Sequence, residues 1–208
     1  MASRQGSAKR SSEWIDVPNI ALPSSELYQR RRQAVRRVVA PLLPQPPNVA
    51  VEQVGRGRDA FTLGILPKHR SPASFLNPED ALVATRTSGL LLNYYETWRQ
   101  VKGTDNYYLD RAYMHMHLGM RNSQPRQVLS LHCDPSMHHS EEHYLYKRGP
   151  HLHVEGASPN VDRAHLSLCL LNADLGGADV IQLTGSISAA VRMIVKELVP
   201  CWERASRA

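Results

Sequence analysis

The stretch AYMHMHLGM, Ala112 to Met120, alternates methionine with histidine along its centre. Such alternation is typical of a β-strand, because successive side chains of a strand point to opposite faces of the sheet. Similar runs follow downstream, separated by turn residues: RQVLSLHCDP (126–135), EHYLYKRGPHLHVEG (142–156) and AHLSLCLL (164–171). We therefore predict that these four runs form successive strands of one antiparallel sheet.

A helix and a hairpin are predicted ahead of this sheet. Residues 23–25 supply helix-start signals, and apolar residues at helical spacing between Val35 and Leu42 extend the helix to about Leu43. The prolines of PLLPQPPNVA cannot continue it. The runs NVAVEQV (48–54) and DAFTLGILP (59–67), joined by GRGR, predict two paired strands.

Two further helices are predicted. The segment FLNPEDALVATRTSGLLLNYYETWRQVKG (75–103) has a capping residue, an apolar face at helical spacing and a terminal glycine. These features are the cap Asn77, the face of Leu91, Tyr95 and Trp98, and the closing Gly103. The segment SISAAVRMIVKELVPCWER (186–204) keeps helical spacing and predicts an amphipathic helix near the end of the chain.

The composition indicates one folded domain. The chain has 208 residues, of which 42% are hydrophobic, enough for a core. We expect residues 1–22 to be a flexible basic segment and residues 23–208 to form a single domain. Widely spaced cysteines favour a reducing compartment, and the sequence shows no apolar run long enough to predict a membrane span. The small, polar first residues lead us to expect no signal peptide. We therefore expect a cytoplasmic protein without membrane contact.

The net charge of +6 is concentrated in RRRQAVRR. This run lies in the first predicted helix and contains Arg30, Arg31, Arg32, Arg36 and Arg37. Such a cluster can meet phosphates or an acidic protein surface. A solvated helix face is the alternative interpretation.

Nine of the ten histidines lie between His115 and His165. Alternation puts His115 with His117 on one face of a strand and His151 with His153 on one face of another. Imidazoles bind zinc and other transition metals, so these four are candidate ligands. No acidic residue or cysteine pair completes the set, and we expect no cofactor. In the alternative interpretation the histidines face water and the intervening Met114, Met116, Leu152 and Val154 face the core.

The run HCDPSMHH (132–139) suggests a second chemistry. His132 and Asp134, with His151 or His153, have the residue types that general acid and base catalysis needs. This pattern favours a histidine-rich, metal-independent nuclease or toxin-like hydrolase. In that case the basic helix would hold the phosphates of a nucleic acid.

The segment GPHLHVEGASPNVDRAHLSLCLL (149–171) contains a proline-led strand, a Ser-Pro-Asn turn and a cysteine nine residues after the asparagine. Together with the basic helix and hairpin before it and the amphipathic helix after it, this order resembles the ubiquitin-conjugating enzyme family. The resemblance covers residues 23–67 and 142–202 and suggests a divergent bacterial member. It implies an α+β fold with an N-terminal helix, an antiparallel β-meander and a C-terminal helix, interrupted by a helix-and-strand insertion at about 68–127.

The resemblance also implies a mechanism and partners. Cys169 would hold a ubiquitin-like protein as a thioester, Asn160 would be the turn asparagine, and Ser158 replaces the family's histidine. The arginines of the first helix would dock the activating enzyme. A catalytically inactive scaffold is an alternative, since Ser158 departs from the family pattern. The residues alone also allow Cys169 to be a buried core residue. We expect structural roles for Cys133, at the end of a strand, and for Cys201, at the end of the last helix.

Overall fold

Helices precede and follow an antiparallel sheet in this protein. A computed structural model describes residues 21–54, 59–67, 81–119, 124–133, 151–158, 161–167 and 180–205. The mixture of helix and antiparallel strand confirms the predicted α+β class. Within these ranges, no helix has both the length and the apolar character needed to cross a lipid bilayer.

The first helix (residues 24–42) agrees with the predicted one. It comprises an α-helical turn Ser24–Glu26, a π-helical stretch Leu27–Arg31, an α-helix Arg32–Val39 and a 3-10 turn Ala40–Leu42. Buried positions recur every four residues, at Leu27, Arg31, Val35 and Val39. One stripe of this helix therefore packs on the sheet, and the proline-rich residues that follow end the helix.

The sheet contains nine strands in the described ranges, and seven follow one another as a meander in the order β2-β3-β5-β6-β7-β8-β9. β1 pairs with β6, and β4 pairs with β5. The strands are β1 Ala21–Pro23, β2 Val49–Val54, β3 Ala60–Ile65, β4 Val83–Ala84, β5 Leu90–Gln100, β6 Asn106–Leu118, β7 Arg126–Cys133, β8 His151–Ser158 and β9 Val161–Ser167. The predicted pairing of the hairpin strands is confirmed, and so are the four predicted strands in the parts of them that the structure describes.

Strand pairing bears on the predicted N-terminal segment and on the predicted insertion. Ala21 and Leu22 do not belong to a flexible segment, because they pair with Tyr108 and Tyr107 in the β1–β6 ladder. In addition, the predicted insertion at 68–127 includes β5 and β6, the two longest strands. These lie between β3 and β7 in the same sheet. The sheet therefore depends on them for its continuity.

The helix predicted over residues 75–103 is wrong for the described part of that segment, which forms β4 and β5. Both faces of β5 are covered: Leu92 and Tyr94 are buried on one face, and Asn93 and Tyr95 on the other. A strand buried on both faces is nearly continuous in apolar character, and its residues can match helical spacing by chance. The cap residue Asn77 lies outside the described residues.

Gly103 has a different role from the predicted helix end. It lies between β5 and β6 with a φ of 79°, in the left-handed region that glycine adopts without strain. Gly89, just before β5, has a φ of 76°. Gly89 and Gly103 thus flank β5. A glycine with positive φ can end a helix or form a turn beside a strand, so the sequence alone did not distinguish the two.

The two faces of the sheet differ in chemistry. The helix-facing side carries apolar residues such as Met114, Met116, Leu129 and Leu131, which form one core with both helices. The opposite side carries the alternating polar residues of the same strands. We call this second side the histidine face, because His115, His132, His151 and His153 occupy it in the strand register.

The closing helix (residues 180–205) packs on the same side of the sheet as the first helix. It comprises an α-helix Val180–Met193, a π-helical stretch Ile194–Leu198 and an α-helix Val199–Ala205. Ile187, Val191 and Ile194 are buried in the core that contains the first helix. The predicted amphipathic helix is therefore confirmed, and it begins six residues earlier than its predicted start.

Candidate functional site

The predicted thioester residues come shortly before the closing helix in the sequence. Cys169 and Asn160 fall outside the described residues, and so does the side chain of Ser158. The backbone of Ser158 ends β8 and pairs with Val161, the first residue of β9. Cys169 follows the last residue of β9 by two positions and precedes the closing helix.

The other two cysteines have contrasting environments. Cys133 is buried in the helix-facing core, which confirms the predicted structural environment. Cys201 is exposed on the closing helix, near the end of the described residues. Arg204 donates a hydrogen bond from Nη2 to Cys201 Sγ over 3.3 Å. Cys201 is therefore a thiol that reagents can reach.

The basic surface predicted for partner binding is smaller than the sequence suggests. Arg30, Arg32, Arg36 and Arg37 are exposed on the first helix. Arg31, by contrast, is 1% exposed and cannot contact a partner, because it faces the sheet. Four of the five predicted arginines thus form an exposed basic surface, which we call the arginine surface.

Two members of the arginine surface are also tied to the edge of the sheet. Arg32 donates from Nε to the carbonyl of Val49 over 2.7 Å, and Arg36 donates from Nε to the carbonyl of Pro47 over 3.1 Å. These bonds link the helix to the segment that leads into β2, an end strand of the meander. The positive charges therefore have a fixed position beside that edge.

Arg31 belongs to a buried ionic network centred on Glu96. Arg31 Nη2 lies 2.5 Å from Glu96 Oε1, and Arg31 Nε lies 2.9 Å from Glu96 Oε2. Trp98 Nε1 donates to Glu96 Oε2 over 2.9 Å, and the Tyr94 hydroxyl also donates to the carboxylate. Arg31 Nη1 donates to Thr184 Oγ1 over 2.5 Å. The network thus joins both helices to β5.

The electrostatic consequences of this network are clear for two of its members. Burial alone would lower the pKa of Arg31, but the charge of Glu96, the electrostatic effect of Tyr94 and the hydrogen bonds to these two residues together outweigh burial and raise the pKa. Burial raises the pKa of Tyr94 well above the ordinary tyrosine value, and the Glu96 charge raises it further. Arg31 therefore stays charged and Tyr94 stays neutral at physiological pH.

This network was not predicted from the sequence. Glu96 lies in the run NYYETW, where a single acidic residue interrupts aromatic and apolar neighbours. A charged residue inside such a run is a signal for a buried ion pair, because an isolated buried charge is too costly to keep. The helical interpretation of that segment concealed which face Glu96 occupies.

The histidine face brings together residues from three adjacent strands. His132 of β7 lies directly opposite His151 of β8, while Ser130 lies opposite both His153 of β8 and His115 of β6. Positions two apart on a strand share a face. Two neighbouring cross-strand rows are therefore rich in imidazoles. The register also places His165 of β9 opposite His153.

Distances among the imidazoles are short. The ligand atoms of His132, His151 and His153 all lie within 4.8 Å of one another. His115 Nε2 is 3.3 Å from His132 Nε2, within hydrogen-bonding range. The Tyr113 ring stacks on His132 with a centroid separation of 4.3 Å and an interplanar angle of 25°. We call His132, His151 and His153 the histidine triad.

Burial contradicts the interpretation in which the histidines face water. His151 and His153 are each 2% exposed, His115 is 7% exposed and His117 is 5% exposed. His132 is partly exposed. The sheet is thus covered on both sides. The predicted metal candidates also need revision, because His132 joins His151 and His153 in the triad, whereas His115 and His117 are not members.

The predicted hydrolase site is only partly assembled by the fold. His132, His151 and His153 do converge, while Asp134 lies outside the described residues. The arginine surface and these histidines lie on opposite sides of the sheet, because the first helix packs on the apolar side.

No family model matches the chain, and comparison with curated proteins and with solved structures finds no match either.

Proposed function

We propose that this protein is a ubiquitin-conjugating-like acyl carrier, which holds a ubiquitin-like protein as a thioester on Cys169 and transfers it to an acceptor. The observation that carries the proposal is the order of elements around Cys169. A helix, an antiparallel meander and a closing helix follow one another, and both helices pack on one side of the sheet. Cys169 lies between the last strand and the closing helix. The resemblance noted in the sequence implies this arrangement.

The chemistry requires a nucleophile and an activated acyl group. The Cys169 thiolate attacks the carbonyl carbon of a thioester formed between the activating enzyme and the ubiquitin-like protein. The enzyme's cysteine leaves as a thiolate, and the acyl group becomes bound to Cys169. An acceptor amine then attacks this second thioester, loses a proton to solvent and releases Cys169. Each step exchanges one acyl bond for another, so ATP is needed only to form the first thioester.

The arginine surface supports a docking role. Arg30, Arg32, Arg36 and Arg37 are exposed, and Arg32 and Arg36 are anchored by bonds to the backbone. Fixed positive charge increases the association rate with an acidic surface and orients the encounter. We therefore assign this surface to the activating enzyme. The buried Arg31 keeps the helix in place through Glu96.

The proposal keeps Asn160 and Ser158 as the turn residues of the transfer site. The backbone of Ser158 ends β8 and pairs with Val161, the first residue of β9, and Asn160 lies between these two residues in the sequence. An amide donor at this turn would hold the local loop or stabilise a developing oxyanion during transfer.

The test is thioester formation in a purified system. The chain is incubated with matched pairs of activating enzyme and ubiquitin-like protein in the presence of ATP, and the products are separated without reductant. We expect an adduct that reductant removes, that is lost in Cys169→Ala and that remains in Cys201→Ala. Cys201→Ala is the matched control because Cys201 is exposed.

Two results would contradict the proposal. One is an adduct that survives Cys169→Ala, since the acyl group would then be on another residue. The other is the absence of an adduct with every pairing. If the wild-type chain binds a ubiquitin-like protein but forms no adduct, the scaffold alternative is the better account.

A further inference from the structure

We infer that His132, His151 and His153 form a binding site for a divalent transition metal, with Zn²⁺ as the expected ion. This inference is independent of the proposed acyl transfer. It concerns the histidine face of the sheet, whereas Cys169 follows β9 at the end of the meander. Cys169→Ala is therefore expected to leave metal binding unchanged.

The strand register is the first argument for this site. His132 and His151 form a directly opposed cross-strand pair, and His153 lies two residues from His151 on the same face. Opposed Cβ atoms in an antiparallel pair are about 5 Å apart, close enough for two side chains to share a ligand. Backbone hydrogen bonds of two central strands fix all three positions. The site therefore has a rigid frame.

Distance is the second argument. The ligand atoms of the triad lie within 4.8 Å of one another. In a tetrahedral zinc site the Zn–N bonds measure about 2.0–2.1 Å, which places ligand nitrogens roughly 3.4 Å apart. Small ring rotations about the side-chain torsions close that difference. Three imidazoles leave the fourth position of zinc for water or another donor.

The surroundings of the triad provide the third argument. His151 and His153 are almost fully buried, so an ion held between them would be shielded from bulk water. An imidazole can give a metal the lone pair of its unprotonated ring nitrogen. Ser130 Oγ is also fully buried on this face and has no hydrogen-bond partner among the described residues. A water bound to the metal would supply such a partner.

His115 has a separate, orienting role in this account. Its Nε2 lies 3.3 Å from Nε2 of His132, within hydrogen-bonding range. A hydrogen bond to the second ring nitrogen fixes the tautomer and the orientation of a metal-binding imidazole. We classify His115 as a positioning residue. Its replacement by glutamine is expected to weaken binding by roughly 10–100-fold without changing the stoichiometry.

The test is Zn²⁺ titration of the full chain after removal of metal with a chelator. The wild-type chain, His151→Gln/His153→Gln and His117→Gln are compared by calorimetry, with Co²⁺ absorption as a measure of tetrahedral coordination. We expect one ion per wild-type chain. The double variant should bind Zn²⁺ more than about 100-fold more weakly than the wild type. That loss of affinity exceeds the loss caused by removing a hydrogen-bond partner of a metal ligand.

His117→Gln is the matched control, because His117 is a buried histidine next to the cluster but outside the triad. It should bind Zn²⁺ as the wild type does. Equal losses in His117→Gln and the double variant would overturn the inference. Wild-type affinity in the double variant, or a wild-type chain that binds no Zn²⁺, would overturn it as well. If the double variant fails to fold, His132→Gln provides the same comparison.

Discussion

Glu96 accepts hydrogen bonds from Arg31, Tyr94 and Trp98 inside the helix-facing core. A buried charge is tolerated only when it is paired and its lone pairs are satisfied, and Glu96 meets both conditions. Thr184 extends the network to the closing helix through Arg31. At the residue scale, this cluster specifies how the first helix and the closing helix meet the sheet.

Removal of one partner from this network should be costly. We expect Arg31→Met to lower the free energy of unfolding by about 3–5 kcal/mol, because the Glu96 carboxylate is left buried without its counter-charge. Denaturant unfolding measures the change. Arg30→Met is the control, since Arg30 forms only an exposed pair with Glu26 and should cost less than about 1 kcal/mol. Equal losses in the two variants would refute this role for Arg31.

The raised pKa of Tyr94 predicts a loss of stability at alkaline pH. Below about pH 10 the phenol is neutral in both states, so its contribution is fully present. Above that pH the unfolded chain releases the proton while the folded chain retains it, and unfolding becomes more favourable. Tyr94→Phe should therefore show a shallower decline in stability above pH 10 than the wild type. Tyr28→Phe, at an exposed position, is the control, and an unchanged slope in Tyr94→Phe would disprove the prediction.

At the scale of elements, the alternation of polar and apolar residues along the sequence predicted β6, β7, β8 and β9. It failed for β5, where Leu92, Tyr94 and Glu96 are buried on one side and Asn93 and Tyr95 on the other. Periodicity carries little information when both faces are buried. Prediction of the histidine triad would also have required the strand register, which pairs His132 with His151 across 19 positions of sequence. Local patterns do not specify such a pairing.

A glycine in a turn and a glycine in a helix should respond oppositely to replacement by alanine. Gly103 has a φ of 79° in the turn before β6, and alanine there should cost about 1 kcal/mol of stability through backbone strain. Gly185 lies within the closing helix with open space around its Cβ position. Gly185→Ala should raise stability by about 0.5–1 kcal/mol, because alanine favours the helix. Thermal unfolding compares the two variants, and the same sign of change in both would contradict the assignment.

At the scale of the whole molecule, one sheet separates two chemical environments. Both helices, the Glu96 network and the arginine surface belong to one side, and the histidine face is the other. The proposed metal site and the proposed docking surface therefore lie on different sides of the sheet. This separation predicts that zinc acts on the stability of the fold and leaves the arginine surface unchanged.

Zinc should stabilise the folded chain by mass action. At a free concentration 100 times the dissociation constant, binding to the folded state alone adds about 2.7 kcal/mol. We expect thermal unfolding of the wild type to shift upward with added Zn²⁺ and to shift back with chelator. His117→Gln should show the same shift. A comparable shift in His151→Gln/His153→Gln would show that the ion binds elsewhere.

The central claim, that Cys169 accepts an activated acyl group, can be measured without an activating enzyme. Ubiquitin bearing a C-terminal thioester of a small thiol is mixed with the chain, and peptide mass spectrometry follows acylation of each cysteine over time. The account predicts that Cys169 is acylated at least about tenfold faster than Cys201, because a nucleophilic cysteine has more thiolate character than an ordinary exposed one. Equal rates at the two positions, or acylation of Cys201 alone, would contradict it.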